Sequence, residues 1–253
     1  MLQVNRDGRL LRLTLNRPEK RNALNGALCR ELVAAIEEGD NDPNVGAILL
    51  CGAGKSFCAG MDLDEMLTPA EAELGEVHER LFTIGRRVTT PMIAAVHGAA
   101  LAGGTGLAAN THIVVAAEDA SFGLTEIRIG LWPFVIFRAV VGAIGERRAV
   151  ELGITGRIVD AKEAASMGIA HYVASASDVQ ARAAGIAAAV AAASPEALRR
   201  GLRFVAETRG LEYEAAGASA HRFRRELFNT PDFAEGIRAF REKREPQWPS
   251  LNF

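Results

Sequence analysis

Two features near the middle of the chain could together move a proton: a glycine-rich turn and a single carboxylate. The segment GAALAGGTGLAANT (98–111) follows an apolar run and turns at Gly103 and Gly104. Glycine lets a backbone approach a ligand closely, and the first N–H groups of a helix have no acceptor within that helix. Glu126 stands 23 residues after Gly103. Backbone donors opposite one carboxylate are suited to forming and protonating an enolate.

Each feature alone has a commoner explanation. A glycine pair can simply let a helix pack tightly against a strand, and an isolated carboxylate is more often found at the surface. GAGKS (52–56) resembles the end of a phosphate-binding loop, but Leu49 stands where that motif needs a glycine. GGTG lacks the glycine spacing of a dinucleotide-binding turn. The five histidines are scattered, without an i, i+4 pair, so we expect no metal site.

The composition predicts one large domain, or a core with a smaller appendage, of a globular protein. The chain has 253 residues and a net charge of −2, which gives no reason to expect nucleic acid or an anionic membrane as a partner. We interpret its two arginine clusters (80, 86 and 87; 199, 200 and 203) as solvated helix faces. Three cysteines without a CxxC pair favour a reducing compartment, so we expect a cytoplasmic protein.

The elements that must position these groups alternate between strand and helix. We predict strands at 9–15, 45–51, 92–96 and 113–117, and a helix from about 26 to 39 capped by Asn25. A charged helix with breaks is expected from about 62 to 88. From 178 to 245 the pattern predicts four helices and no strand. The composition changes near Ser194-Pro195, which indicates an α/β core followed by a helical module.

Five segments, taken together and in order, resemble the enoyl-CoA hydratase/isomerase family, the crotonase superfamily. They are LNRPEKRNALN (15–25), SFCAGMDL (56–63), PMIAAVHGAALAGG (91–104), SFGLTEIRIGLWP (121–133) and FREKREPQW (240–248). The resemblance covers nearly the whole chain. It implies an α/β fold, a crotonase-like spiral of β-β-α repeats, with an acyl-CoA site in residues 1–194. It also implies that the helical region 195–253 packs the protein into a homotrimer or hexamer.

The family's functional positions carry over residue by residue. The resemblance implies an acyl-CoA thioester as substrate, with coenzyme A as part of that substrate and no separate cofactor. The backbone N–H groups of Met61 and Gly103 match the two donors that hold the thioester oxygen. Lys243 matches a lysine that contacts a coenzyme A phosphate, in the family sometimes from a neighbouring subunit; otherwise it is a solvated helix-end charge. The other implied coenzyme A contacts are Lys20, Ala23, Leu24, Ala59, Asp62 and Leu63.

The chain departs from typical hydratases of the family at Gly106. Such hydratases carry two glutamates, and the first of them falls on Gly106 here, whereas the second matches Glu126. One carboxylate fits a 1,3-proton shuttle, from C2 to C4 of a 3-enoyl-CoA, which is double-bond isomerisation. Single-glutamate members named hydratases also exist, so both activities stay open. Decarboxylation, thioester hydrolysis and a non-catalytic acyl-CoA-binding paralogue are the further alternatives.

A second departure follows Glu126, where LWPFVIFRAVVGAIG is unusually bulky. We expect Trp132, Phe134 and Phe137, together with Gly106, to line the acyl pocket, although helix core is an equal alternative for the bulky residues. Apolar walls would raise the pKa of Glu126. A replacement second acid would have to come from elsewhere. The candidates are Asp62, Asp64, Glu65 or the 71–79 segment.

Overall fold

The computed structural model describes residues 1–66 and 71–251, without the side chains of residues 66 and 71–73. Strands and helices alternate as far as residue 174, and only helices follow in the described part. The strands are β1 (Leu2–Asp7), β2 (Leu10–Leu15), β3 (Ala47–Gly52), β4 (Met92–Val96), β5 (Ala99–Leu101), β6 (Ile113–Ala117), β7 (Ser121–Gly123), β8 (Ile158–Asp160) and β9 (Tyr172–Ala174).

Eleven α-helices and four short 3₁₀ helices are found within the described ranges. The α-helices are α1 (Gly26–Asn41), α2 (Leu63–Met66), α3 (Glu71–Thr83), α4 (Gly103–Ala109), α5 (Phe134–Ile144), α6 (Glu146–Thr155), α7 (Ala161–Met167), α8 (Val179–Ala191), α9 (Pro195–Thr208), α10 (Tyr213–Phe228) and α11 (Pro231–Glu242). The 3₁₀ helices are Pro18–Lys20, Ile84–Arg86, Glu126–Ile129 and Pro249–Leu251.

The strands form two sheets. The larger has the order β1-β2-β3-β4-β6-β9, and its neighbours are parallel except for the antiparallel pair β1 and β2. The smaller has the order β5-β7-β8, in which β5 and β7 are parallel and β8 is antiparallel to β7. Because parallel neighbours need crossover connections, helices cover both faces of the larger sheet.

Strand β3 is apolar throughout because both of its faces are covered. All six of its residues are buried. Ala47 and Leu49 pack on one side against the alanine-rich face of α8. Ile48 and Leu50 point to the other side and join the main core, which includes α1. A continuous apolar run of this kind is typical of a strand in a parallel sheet.

Helix α1 forms where the sequence predicts it. The Asn25 side chain accepts a hydrogen bond from Leu28 N at 3.0 Å and so caps the helix. Leu28, Leu32 and Ile36 have no exposed surface and face the core. The helix runs to Asn41 and ends ahead of Pro43, since the residue before a proline disfavours helical backbone.

The prediction differs from the structure at the first strand. Strand β1 was not predicted, because five of its six residues are exposed and its pairing with β2 comes from the fold rather than from an apolar pattern. The helix expected with breaks at 62–88 is found as α2, α3 and a 3₁₀ turn, and residues 67–70 between α2 and α3 lie outside the described part.

The four helices predicted after residue 178 are α8 to α11. Ser194 caps α9 and Thr230 caps α11, and each is followed by a proline at the first helical position. This Ser/Thr-Pro arrangement is a strong local signal for a helix start. No helix within the described ranges is long and apolar enough to cross a membrane. The role of residues 195–253 in oligomerisation stays a prediction.

Candidate active site

Two parallel strands end at the same edge of the smaller sheet and bring the glycine turn to the carboxylate. Leu101 at the end of β5 lies opposite Gly123 at the end of β7. Gly103 begins α4 two residues after β5, and Glu126 stands three residues after β7. The carboxyl ends of parallel strands meet at one sheet edge, and this geometry places Gly103 beside Glu126.

A third segment, which carries Met61, lies parallel to β5. An isolated β-bridge between Cys58 and Ala100 joins the two. Met61 itself pairs in parallel with Leu24. Leu24 N donates to the Gly60 carbonyl at 2.8 Å, and the Leu24 carbonyl accepts from Asp62 N at 3.0 Å. In this pattern the N–H of Met61 points away from Leu24.

Glycine at positions 60 and 103 lets the two chain segments come into contact. A Cβ added to Gly60 would lie 3.3 Å from Gly103 N, and one added to Gly103 would lie 3.4 Å from Gly60 Cα. Gly60 has a φ of 100°, which disfavours residues with a side chain. Ala102 also has positive φ, with φ 51° and ψ −120°, at a cost of about 1–3 kcal/mol. This sharp turn directs the start of α4 into the cleft.

Thr105 holds the start of α4 against both strands. Its Oγ1 donates to the Ala100 carbonyl at 2.6 Å and lies 3.1 Å from the Gly123 carbonyl. The same oxygen accepts from Gly123 N at 2.9 Å. Thr105 has no exposed surface, so these bonds do not compete with water. The hydroxyl therefore fixes the position of Gly103 relative to Glu126.

The N–H groups of Met61 and Gly103 are both free to bind a ligand. Neither has an acceptor among the residues that the structure describes. Both residues line the cleft. Two neighbouring N–H donors without partners can stabilise an oxyanion, because they are fixed in place before charge develops.

The cleft has an outer polar part of about 350 Å³ and an inner apolar part of about 100 Å³. The two parts share Met61, Gly103, Glu126 and Leu131. The inner part is otherwise lined by Phe82, Trp132, Pro133, Phe134, Val135 and Ile136. A polar cleft that leads into an apolar pocket suits a ligand with a polar carrier and an apolar acyl group.

Glu126 lies where the two parts of the cleft meet. It is 7% exposed, and its Oε2 has no hydrogen-bond partner among the described residues. Burial raises the pKa of Glu126 to about 7, although a hydrogen bond from its own N–H acts in the opposite direction. Near neutral pH the side chain is therefore present in both protonation states, as a proton carrier requires.

The neighbouring carboxylates already have partners. Asp62 accepts from Arg17 Nη2 at 2.9 Å. Burial alone would raise the pKa of Asp62, but Arg17 and the N–H of Asp64 outweigh burial and lower it. Asp64 pairs with Lys20 at 2.9 Å, and Glu65 accepts from the first N–H of α1 at 2.7 Å. None of these three has the unpartnered, buried environment of Glu126.

The remaining candidates for a second acid give no replacement within the described residues. Glu76 and Glu79 are exposed and line neither part of the cleft. The side chains of Glu71 and Glu73 lie outside the described part of the structure. Glu19 lines the outer cleft, but it is exposed on a 3₁₀ helix.

Gly106 faces a side chain rather than open space. A Cβ added there would lie 2.4 Å from both Cβ and Cγ2 of Ile136. Gly106 is buried and is not among the residues that line the cleft, whereas Ile136 lines its inner part. Gly106 therefore does not itself line the acyl pocket as we expected, because Ile136 fills the adjoining space.

The bulky segment after Glu126 is divided between pocket and core. Trp132 and Phe134 line the inner cleft as predicted, and Phe134 is 72% exposed. Phe137 does not line the cleft, because its ring packs 5.5 Å from that of Trp132 and joins the main core. Trp132 and Phe134 therefore belong to the pocket wall, whereas Phe137 belongs to the helix core.

Most of the predicted coenzyme A contacts line the outer cleft: Lys20, Ala23, Ala59, Asp62 and Leu63. Leu24 does not, since its side chain is 1% exposed and its backbone instead positions Met61. Lys243 is exposed at the end of α11 and does not line the cleft of its own chain. A contact from Lys243 to a neighbouring subunit's ligand stays a prediction.

Sequence reasoning missed the residues that hold the loops together. Asn22 has no exposed surface, and its Nδ2 donates to the carbonyls of Ala53 at 2.9 Å and Ser56 at 2.8 Å. Arg17 Nη1 donates to the Ala23 carbonyl at 2.6 Å. Their only signal was their place within the segment 15–25 that resembles the family, because such contacts join residues distant in sequence.

Comparisons with known proteins agree with this geometry. The family model described as enoyl-CoA hydratase/isomerase matches residues 5–250. A Mycobacterium bovis protein named "Probable enoyl-CoA hydratase echA8" is 37% identical over 97% of this chain and 96% of its own length. Enoyl-CoA hydratase EchA19 of Mycobacterium tuberculosis is 36% identical, over 97% and 95%.

Solved structures support the same conclusion. An enoyl-CoA hydratase from Mycobacterium smegmatis superposes with a TM-score of 0.93 at 32% identity, covering 98% of each chain. This match confirms the predicted crotonase-like α/β fold. The family match across almost the entire sequence, together with the cleft described above, shows that the chain belongs to the enoyl-CoA hydratase/isomerase family of acyl-CoA enzymes.

Proposed function

We propose that the enzyme transfers a proton on an enoyl-CoA thioester through an enolate, with Glu126 as its one proton carrier. The observation that carries this proposal is the environment of Glu126. Its carboxyl is buried, has an unpartnered Oε2 and lies beside the free N–H groups of Met61 and Gly103. No other carboxylate that lines the described cleft combines burial with a raised pKa.

In the proposed reaction, ionised Glu126 removes a proton from C2 of a 3-enoyl-CoA. The electron pair of that C–H bond forms the dienolate, whose oxygen accepts hydrogen bonds from Met61 N and Gly103 N. The protonated carboxyl of Glu126 then gives the same proton to C4, and the double bond moves to C2–C3. The carboxylate is regenerated, so the cycle needs no second acid and no cofactor.

The contact between Gly106 and Ile136 favours isomerisation over hydration in this proposal. Hydration needs a held water and proton delivery to C2 as well as proton removal from the water. Ile136 fills the space beside Gly106 with a branched apolar side chain. A site without a polar partner at that position binds water poorly, since buried water usually makes about three hydrogen bonds.

Hydration of a 2-enoyl-CoA is the second candidate activity. The relatives named above are called enoyl-CoA hydratases, and they cover nearly the whole chain. In a one-acid hydratase Glu126 would activate the water and then deliver its proton to C2. The outer cleft is polar and open enough to supply such a water from the thioester side.

The two activities are separated by comparing 3-enoyl-CoA, 2-enoyl-CoA and malonyl-type CoA esters as substrates of the purified protein. We expect double-bond migration to be faster than hydration, and Glu126→Gln to abolish it while the CoA ester still binds. An amide keeps the shape but cannot accept the proton. Rapid hydration that Glu126→Gln barely slows would refute the one-carboxylate mechanism, and turnover of the malonyl-type ester alone would indicate a different reaction class.

We also propose that the protein assembles as a homotrimer or hexamer through its helical region. Helix α9 has an apolar stripe but no buried residue, and α10 has only Phe223 buried. Val205, Phe228 and Phe240 are 49%, 47% and 84% exposed. Apolar faces of this extent usually mark an interface.

A further inference from the structure

A second cavity, of about 560 Å³, lies at the far end of α4 from the oxyanion donors. Gly103 begins this helix at the active site, whereas Ala109 and Asn110 at its other end line the second cavity. The helix has seven residues, so about 10 Å separates its ends. The two cavities share no lining residue.

Three arginines from separate parts of the chain line this second cavity: Arg86, Arg138 in α5, and Arg209 just after α9. No aspartate or glutamate is among its lining residues. Arg86 Nη2 donates to the carbonyl of Arg138 at 2.7 Å. Within the described part of the chain, the guanidinium groups of Arg138 and Arg209 have no hydrogen-bond or ion-pair partner. Arg86 is half-buried, whereas Arg138 and Arg209 are exposed, so the guanidinium groups of the last two are open to an anionic ligand.

The charges around the cavity are predominantly positive, as its lining residues suggest. The pKa of Arg86 is lowered by burial first, and then by the positive charges of Arg209 and Arg138. Asp40, the carboxylate that acts on His112, is not among the residues that line the cavity. The positive charge of the cavity is therefore not offset by its own walls.

Two histidines add neutral donors to the same cavity. His112 accepts from Met92 N at 2.9 Å through Nδ1, and His171 accepts from Val114 N at 3.1 Å through Nδ1. Both residues line the cavity. A neutral ring that accepts through Nδ1 carries its proton on Nε2, so each histidine has an N–H donor left for a ligand.

We propose that this cavity is a binding site for a small polyanion with phosphate groups, held by Arg86, Arg138 and Arg209 and separate from the acyl-CoA cleft. Guanidinium groups bind phosphate oxygens through paired, charge-assisted hydrogen bonds, and three of them match an anion with more than one negative charge. The cavity volume admits a molecule much larger than a single phosphate ion. The site does not depend on which reaction the enzyme catalyses.

Inorganic pyrophosphate is the probe, titrated into the full-length protein by calorimetry at constant ionic strength. The titration is repeated with Lys20→Gln, which removes a positive charge from the acyl-CoA cleft only, and the pyrophosphate binding that remains in this variant is assigned to the second cavity. Arg138→Gln and Arg209→Gln should each weaken the remaining binding by about tenfold, the loss of one charge-assisted contact. Arg147→Gln removes an exposed arginine of α6 that lines none of these cavities and should leave binding unchanged.

Three results would overturn the site. The first is no saturable binding of pyrophosphate by the wild-type protein, or binding that Lys20→Gln alone abolishes. The second is an equal loss in all three arginine variants, which would reflect net charge alone. The third is that Arg138→Gln and Arg209→Gln lower the molecular mass measured by light scattering while pyrophosphate binding stays unchanged. The arginines would then pair with carboxylates of a second copy of the chain. Thermal unfolding of each variant confirms that the fold is intact.

Discussion

The raised pKa of Glu126 predicts that this residue makes the wild-type protein less stable as the pH rises. The pKa goes from an ordinary 4.5 to about 7 in the folded chain because the carboxyl is buried. The folded state therefore keeps a proton that the unfolded state has lost between these two values. Stability falls with rising pH wherever the folded state binds more protons than the unfolded state. The contribution of Glu126 to the free energy of unfolding should therefore decrease from about pH 4.5 to pH 7.

The size of this decrease follows from the shift. A difference of about 2.5 pH units corresponds to about 3 kcal/mol at 1.36 kcal/mol per unit. The glutamine side chain of Glu126→Gln does not titrate, so this pH-dependent contribution to the free energy of unfolding should be absent in the variant. The buried amide adds a cost of its own, but that cost does not depend on pH. The stability difference between wild type and variant should therefore change by about 3 kcal/mol across the range, whatever its value at any one pH.

The assay is urea unfolding of both proteins at a series of pH values and one protein concentration, because assembly makes stability depend on concentration. Glu118→Gln, at an exposed position after β6, is the matched control and should give a curve parallel to that of the wild type. Parallel curves for wild type and Glu126→Gln would refute the reasoning, since they would mean that burial does not perturb this carboxyl. The same titration should appear in kcat/KM for isomerisation, which we expect to rise with pH to a plateau above about pH 7.

Four further predictions concern the cleft and the assembly. Gly103→Pro should lower turnover by about 10²–10³-fold relative to Gly103→Ala, which adds a similar Cβ but keeps the N–H; equal rates in two folded variants would refute the donor. Gly106→Glu alone should destabilise the protein, because its Cβ meets Ile136 at 2.4 Å, whereas Gly106→Glu with Ile136→Ala should raise hydration relative to isomerisation in a 2-enoyl-CoA assay. Thr105→Val should lower the free energy of unfolding by about 2 kcal/mol in urea, because it leaves the buried Gly123 N–H without its side-chain acceptor. Light scattering at micromolar concentration should give a mass of three or six chains of 27.0 kDa, and a monodisperse monomer would contradict the proposed assembly.

Local sequence signals were sufficient for most of the fold. The cap at Asn25, the apolar periodicity of α1 and the Ser/Thr-Pro starts of α9 and α11 all act within a few residues of each other. Such signals depend little on the rest of the chain, so they can be interpreted before the fold is known. Strand β1 has no such signal, because its formation depends on pairing with β2 at the edge of the sheet.

The family resemblance supplied the candidate catalytic positions, but it did not supply their surroundings. Sequence spacing suggested that Gly106 faces the cavity one helical turn after Gly103. The structure places Ile136, which is 30 residues further along the chain, against that glycine. In the same way, the Arg17–Asp62 pair removes a candidate acid through a contact between two separate loops. Contacts of this kind depend on tertiary packing and leave no local pattern.

The environment of Glu126 links its pKa to the choice of reaction. The apolar wall that includes Ile136 removes water from the carboxyl, and this loss of solvation is what raises the pKa toward neutrality. In the reaction that we propose, the same wall also offers no polar partner to the water that hydration would consume. A change that admits water beside Glu126, such as Ile136→Ala alone, should therefore lower the pKa of the carboxyl and reduce the share of isomerisation together. A variant that shifts one of these properties without the other would show that proton affinity and reaction choice have separate structural causes.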